Sequence, residues 1–298
     1  MVIYQQIESN KRRTILLLFL FIAFIVLLGW LFGEYTGDRY FGLTIAIIFS
    51  LAMALFGYFK GDKLALITAG AKQIKKEDNP YIYRLVENLA ITAGLPTPKV
   101  YIIQDPAPNA FATGRDPNHA SIAVTTGLVE KLENEELEGV LAHELSHIKN
   151  YDIRLMMIVI ICVGIIALLA DWMIRINFYG GRRKESNNNG QAGAIIMVVG
   201  IILALLSPLF AKLIQLAISR RREFLADASG VLLTRYPEGL AKALEKINLY
   251  KQPLQHANQA TAHLYIANPF GGTKKSFAKY FSTHPPIEDR IKALREIA

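Results

Sequence analysis

The chain has 298 residues, of which 52% are hydrophobic and 19% charged, and its formal net charge is +8. This composition, with a mean hydropathy of +0.27, excludes a uniformly water-soluble globule and predicts a membrane protein that also has a water-exposed domain. The positive charge suits a domain held against anionic lipid. Its basic residues form no stripe interleaved with aromatic side chains, so no nucleic-acid partner is expected.

Four stretches approach the roughly 20 apolar residues that a helix needs to cross a bilayer. The first two carry no charged side chain, whereas the third contains Asp171 and the fourth contains Pro208. The predicted spans lie at about residues 14–33, 41–59, 155–174 and 192–211.

The distribution of Lys and Arg predicts the orientation, because these residues are retained on the cytoplasmic side. Residues 11–13 place the N-terminal segment inside, and Lys60 and Lys63 mark the return after the second span. One loop disagrees, since the basic residues 182–184 would lie outside. Either this loop is an exception, or the second pair of spans enters the bilayer without fully crossing it.

Between the second and third spans, the pattern is that of a folded domain. Apolar periodicity predicts a helix at about 80–93, and β-branched runs predict strands at 100–103 and 121–126, with a further strand at 109–113. A helix with Asn134 as its N-cap is predicted through His147 and almost continuously into the third span. Later helices are predicted at 223–234, 237–250 and 286–297.

Residues 143–147 read His-Glu-Leu-Ser-His, which is the HExxH pattern. Two imidazoles four residues apart share one helix face and are spaced to bind one zinc ion, while Glu144 between them reaches a water molecule on the metal. The motif lies in a predicted helix just after a predicted strand, a context that favours a metal site over a chance match.

A catalytic zinc normally has three protein ligands, so His143 and His147 need a third. Glu223 is the candidate, because it opens a predicted helix just past the fourth span and Asp227 follows on the same face. An even number of crossings would place it on the same side of the membrane as His147. The alternative is that Glu223 only pairs with Arg220 or Arg221.

With these residues placed, the chain resembles the HtpX family of membrane-bound zinc metalloproteases, which is related to the prenyl-protein CAAX endopeptidases. The resemblance spans nearly the whole chain, and four motifs match in order. These are Asn109-Ala110-Phe111-Ala112-Thr113-Gly114, the HExxH residues, Arg222-Glu223-Phe224-Leu225-Ala226-Asp227, and Ser282-Thr283-His284-Pro285-Pro286.

The resemblance implies one Zn²⁺ per chain, held by His143, His147 and Glu223. Zinc would polarise the scissile carbonyl and lower the pKa of a water molecule, whose proton Glu144 would take and return to the leaving amine. Asp227 would hold one ligand histidine in its tautomer. His284 would stabilise the oxyanion or bind zinc at rest, although it would equally suit a plain position near a helix start.

Within the same resemblance, the residues Asn109, Ala110, Phe111 and Ala112 would form an edge strand that pairs with an extended substrate, or else an ordinary strand. The expected fold is a mainly α membrane protein with about four transmembrane helices and a zincin-like α+β protease domain with a small sheet. Its parts would be a membrane hairpin (1–60), a cytoplasmic protease part (61–152), a second hairpin (153–218) and a helical cytoplasmic part (219–298).

The expected function is a zinc-dependent endopeptidase in the cell membrane with a cytoplasmic active site. Its partners would be the bilayer and protein substrates, mainly membrane proteins in quality control. Two alternatives are a zinc-binding membrane adaptor that does not cleave its clients, and a protease that processes prenylated proteins. Glu144 argues against the adaptor, because a structural zinc site uses four ligands and needs no additional carboxylate. Four spans are few for the membrane chamber of the prenyl-processing class.

Overall fold

A computed structural model of the chain describes residues 3–162, 164–165, 220–258, 261–271 and 285–297. The described residues belong to two compact units. The first unit contains the chain up to Thr14, Phe59–Met157 and the described residues after Ala217. The second contains Ile15–Tyr58 and the described residues of 158–165.

Two long helices, α1 (Ile3–Thr36) and α2 (Arg39–Thr68), are apolar and long enough to cross a membrane. They confirm that the first two predicted spans are helical. Most apolar side chains of these two helices are not covered by other described residues of the protein, which suits helices that face lipid. Of the other two predicted spans, residues 155–162 are helical, while the rest and the loop 180–193 lie largely outside the described residues.

Small residues bring α1 and α2 into close contact within the second unit. A Cβ atom added to Gly29 would overlap Ala46, and one added to Gly42 would lie 2.7 Å from the Cα of Gly33. Small residues at such a crossing let two helix backbones approach closely, which is the common way of packing helices in membranes.

The first unit contains a four-stranded sheet in the described part of the chain, with strand order β1-β2-β4-β3. The central pair, β2 and β4, is parallel, and both outer pairs are antiparallel. The three predicted strands are confirmed, whereas β1 is short and was not predicted. The strands are β1 (Ala71–Gln73), β2 (Lys99–Ile103), β3 (Ala110–Gly114) and β4 (Ala120–Thr125).

Helices pack around this sheet in the first unit. Apart from the ends of α5, the predicted helices are confirmed to within three residues at their described ends, and α4 follows β4 directly. The helices are α3 (Pro80–Ala93), α4 (Thr126–Lys131), α5 (Asn134–Lys149), α6 (152–162, which continues into the second unit), α7 (Arg220–Thr234), α8 (Pro237–Leu249) and α9 (Ile287–Ile297).

The two ends of α5 differ from the prediction. Its N-cap is Glu133 rather than Asn134, because the Glu136 carboxylate accepts the backbone N–H of Glu133 at 2.8 Å. The helix does not run on into the third predicted span. It ends at Lys149, and the chain turns through Tyr151, whose φ of 58° is left-handed, before α6 begins.

Helix α5 is the centre of the first unit. It packs against β3, α3, α7 and α8, and its residues 136–148 are buried except at Glu138. Apolar side chains of these elements form one core, including Leu137, Val140, Leu141, Leu145, Ile122, Val231, Leu240 and Leu244. Because the HExxH residues belong to this helix, they are held within the buried core of the domain.

Candidate metal centre

Three predicted ligands come together in the structure. Helix α5 presents His143 and His147 on one face, and α7 brings Glu223 against them. The two Nε2 atoms are 3.1 Å apart, and the Glu223 carboxylate oxygens lie 3.8 Å from Nε2 of His143 and 3.6 Å from that of His147. All three side chains are buried, so the cluster is shielded from bulk water.

These distances suit a zinc ion. Ligands placed tetrahedrally around zinc at about 2.0–2.1 Å are about 3.3 Å from one another, close to the separations observed. The balance of buried charges also favours a divalent metal ion. Within the described part of the chain, four buried carboxylates lie around the histidines and two buried guanidinium groups oppose them. With both histidines neutral, as metal ligands are, two negative charges remain for a divalent cation to balance. The groups are Glu144, Asp152, Glu223 and Asp227, with Arg222 and Arg290.

Asp227 contacts His143, which identifies the histidine that the sequence left open. Its Oδ1 lies 2.8 Å from Nδ1 of His143. Arg290 of α9 in turn donates from Nε to Oδ2 of Asp227 at 2.8 Å and from Nη2 to Oδ1 at 2.6 Å. A carboxylate that accepts the Nδ1 proton directs the Nε2 lone pair toward a metal, so the position of Asp227 suits the role predicted for it beside one ligand histidine.

Asp152 occupies the equivalent position beside His147. The distance between Oδ2 of Asp152 and Nδ1 of His147 is 3.0 Å, and both side chains are buried. Asp152 reaches this position because the chain turns at Tyr151, shortly after α5 ends. Each histidine therefore has one nitrogen bonded to a carboxylate and the other directed toward Glu223.

Glu144 lies next to the cluster and is 1% exposed. One carboxylate contact is the backbone N–H of Ala112 in β3, while Oε1 has no hydrogen-bond partner among the described residues. A buried carboxylate oxygen without a partner is unfavourable in a structural role. Such an oxygen is, however, suited to a carboxylate that exchanges a proton with a water molecule and a substrate.

Burial and charge shift the pKa values of the cluster when only protein groups are considered. Burial and the charge of Arg290 lower the pKa of His143 to about 4. Burial also lowers the pKa of His147, but the hydrogen bond with Asp152 and the charge of Glu223 outweigh it and raise that pKa to about 9. Burial, assisted by the charge of Glu223, raises the pKa of Glu144 to about 7.

The predicted substrate strand lies at the edge of the sheet, as β3, but its first residues are already paired. Ile266 donates its N–H to the carbonyl of Ala110 at 3.0 Å, and Asn109 exchanges side-chain hydrogen bonds with the backbone of Ala267. The Phe111 ring is buried against Tyr265. Ala112 is the next residue whose backbone N–H and C=O groups point away from β4, and its N–H contacts the Glu144 carboxylate.

His284 lies outside the described residues. Two residues that contact the histidines directly were missed from the sequence, namely Asp152 and Arg290. Asp152 had a weak signal, because it follows His147 by five residues. Arg290 had a signal as well. It lies on the apolar face of a short helix just after the motif that contains His284, where an arginine is expected to have a buried partner.

Two histidines on one helix, a carboxylate from a second helix and a buried glutamate next to the first histidine match the arrangement of a metallopeptidase site. The sequence profile described as Peptidase family M48 matches residues 76–298. The chain belongs to this family.

Curated relatives named "Protease HtpX homolog" are similar over nearly the whole chain, which confirms the resemblance. That of Dictyoglomus thermophilum is 44% identical over 98% of this chain and 94% of its own length. That of Tropheryma whipplei (strain Twist) is 46% identical, with 99% and 98% covered. Lactobacillus helveticus has a relative that is 44% identical, with 99% and 100% covered.

Among solved structures, the crystal structure of S. mikatae Ste24p is similar in fold, with a TM-score of 0.50. It is 19% identical, and the match covers 98% of this chain and 67% of Ste24p. The comparisons identify the protein as a membrane-associated metalloprotease that acts on protein substrates.

Proposed function

We propose that the protein is a zinc-dependent endopeptidase of the cell membrane that uses Glu144 as its general base. The observation that carries this proposal is the arrangement of three convergent ligand atoms beside a buried glutamate. His143, His147 and Glu223 would hold the ion, and the geometry of the three donors suits zinc. Zinc, when bound, supplies Lewis-acid chemistry, because it lowers the pKa of water and polarises a carbonyl group.

The protein's own groups account for the proton transfers. Glu144 accepts a proton from the attacking water at its carboxylate and returns it to the leaving amine, and a pKa near neutrality suits both steps. Asp227 and Asp152 keep the Nδ1 protons on the two histidines, so that both Nε2 atoms stay available as ligands. No covalent acyl-enzyme is required.

Substrate pairing with the sheet edge is proposed at Ala112 rather than along all of 109–112. The residues around 266 already bond the start of β3, whereas Ala112 is adjacent to Glu144. An extended substrate that pairs with the backbone here would have its scissile bond near the general base. Asn109, Ala110 and Phe111 would then support the strand without binding substrate. His284 keeps its proposed role at the oxyanion or at the resting metal.

The wider role follows from the family and the apolar helices. We infer a multi-pass protein with four spans whose zincin-like protease parts, 61–152 and 219–298, lie on the cytoplasmic side. Its substrates would be damaged or misassembled membrane proteins. In a Cys162→Ser background, the variant Asn188→Cys tests the topology. Labelling by an impermeant maleimide only from outside supports four crossings, and labelling only from inside contradicts them.

The central experiment measures zinc content and cleavage of unfolded casein in detergent. It compares the wild type with Glu144→Gln and with Glu138→Gln, a control on the same helix that is partly exposed and lies outside the cluster. We expect about one zinc per chain in all three proteins. Cleavage should be lost only in Glu144→Gln. Equal zinc content without cleavage of casein or membrane proteins by the wild type would support the adaptor instead.

A further inference from the structure

The turn between α5 and α6 determines where Asp152 lies, and this turn is conformationally unfavourable. Tyr151 adopts a left-handed backbone conformation with φ 58°. Residues with a Cβ atom seldom adopt this conformation, and they keep it only where surrounding contacts hold it. The position of Asp152 under His147 therefore depends on what holds residues 150–152.

Helix α1 supplies that contact. Asn10 is 1% exposed, and its Nδ2 donates to the carbonyl of Asn150 at 2.8 Å and to Oδ1 of Asp152 at 2.7 Å. One residue further, Nζ of Lys11 lies 5.1 Å from the ring centroid of Tyr151. The start of α1 thus bonds directly to the turn.

Both oxygens of the Asp152 carboxylate are engaged by different elements. Oδ2 lies against Nδ1 of His147, and Oδ1 accepts from Asn10. Arg222 of α7 adds longer contacts of 3.4 Å from Nη1 to Oδ1 of Asp152 and to Oδ1 of Asn10. A carboxylate held at one oxygen only can rotate away from its imidazole, so the second oxygen fixes the direction of the first.

We propose that Asn10 is a positioning residue of the metal centre, and that it holds Asp152 in the orientation that presents Nε2 of His147 to the metal. A residue near the start of the first apolar helix thereby contributes to the metal affinity of the site in the first unit. The inference rests on the proposed zinc site, and it extends that site to a part of the chain outside all four matching motifs.

The test measures zinc affinity by chelator competition on the full chain in detergent. Asn10→Ala removes both hydrogen bonds, and Asn10→Asp keeps the size but replaces the donor with an acceptor beside Asp152. Outer partners of metal ligands contribute about 10–100-fold to affinity, so we expect a loss of about tenfold. The control is Thr14→Val, because Thr14 is buried on the same face and its hydroxyl donates to the backbone carbonyl of Asn10 within α1.

Two further readouts distinguish positioning from a general packing defect. The visible absorption spectrum of Co²⁺-substituted protein should change in both Asn10 variants and stay unchanged in Thr14→Val. In an Asp152→Asn background, Asn10→Ala should no longer reduce zinc affinity, because the residue through which it acts has already been altered. If Asn10→Ala does not give a monodisperse folded protein, Asn10→Ser replaces it and should show a smaller loss.

The possible results separate the two proposals. A wild type that binds no zinc would overturn the proposed function itself. A wild type that binds zinc and cleaves substrate, beside Asn10 variants with unchanged affinity and Co²⁺ spectrum, would overturn only the role of Asn10. The same holds if Thr14→Val loses as much affinity as Asn10→Ala, or if the loss persists in full with Asp152→Asn.

Discussion

Arg290 and Asp227 form a two-pronged ion pair in which neither side chain is more than 3% exposed. The guanidinium donates at 2.8 and 2.6 Å to the two carboxylate oxygens. Arg290 also donates from Nη1 to the carbonyl of Ile266 at 3.3 Å. This one side chain therefore connects α9 with α7 and with the segment that covers the start of β3.

Replacing Arg290 should damage both stability and metal binding. Arg290→Met leaves Asp227 buried without its partner, and breaking a buried pair in this way costs about 3–5 kcal/mol. Arg290→Lys should not restore the protein, because an ammonium group cannot make both hydrogen bonds at once. The measurements are the thermal unfolding midpoint and zinc content in detergent.

Arg295→Met is the matched control for this prediction. Arg295 lies on the same helix and pairs with Glu238 and Glu245, but these groups remain partly exposed to solvent. Exposed ion pairs contribute little, so the control should unfold close to the wild type. If Arg290→Met also unfolds with the wild type and keeps its zinc, the buried pair has no structural role.

The same pair predicts how stability changes with acid. Burial alone would raise the pKa of Asp227, but the charge and hydrogen bonds of Arg290 lower it from 3.8 to about 2. A lowered carboxylate pKa stabilises the folded state above the unfolded value, and this stabilisation of about 2 kcal/mol is lost as the pH falls from about 4 to about 2.

Asp227→Asn has no such carboxylate to protonate, so its unfolding midpoint should fall less steeply than that of the wild type between pH 4 and pH 2. Asp289→Asn, which changes an exposed carboxylate on α9, should keep the wild-type slope. The slope is the diagnostic quantity, because Asp227→Asn also lowers stability at every pH. Parallel curves for Asp227→Asn and the wild type would contradict the assignment.

Local signals explain why most of the fold could be predicted from the sequence. Asn79 accepts the N–H of Ile82, Pro80 begins α3, and Gly94 ends it with a φ of 68°, so this helix is specified by its own residues. The two histidines likewise share a helix face because of their spacing alone. Where a structure depends on a few neighbouring residues, the sequence is sufficient.

The parts that were missed depend on distant contacts. Arg290 meets Asp227 across 63 positions, and no local pattern records that contact. β1 has only three residues and becomes a strand by pairing with β2. The end of α5 was missed for a related reason. Nothing in Asn150-Tyr151-Asp152 prevents a helix locally, and the turn is held by contacts that include Asn10.

Close packing at Gly139 gives a prediction about the core. A Cβ atom added there would lie 2.7 Å from the backbone nitrogen of Leu240 and 2.9 Å from its Cα, so α5 and α8 would have to separate. Alanine gains about 1 kcal/mol of helix propensity over glycine, but overpacking costs about 1–3 kcal/mol. We expect Gly139→Ala to lower the unfolding midpoint. Ser146→Ala, a buried change on the same helix, should be milder.

Zinc binding should release protons at neutral pH. The hydrogen bond with Asp152 and the charge of Glu223 keep the pKa of His147 near 9 despite burial, so this imidazole carries an extra proton at pH 7. A ligand nitrogen must be neutral, and binding therefore expels about one proton from His147. Calorimetric titration in buffers of different ionisation enthalpy measures this number.

Asp152→Asn removes the charge that holds the proton and should release fewer protons while binding zinc more weakly. The same heat in every buffer would show that His147 is already neutral, and the carboxylates around it would then not control its charge.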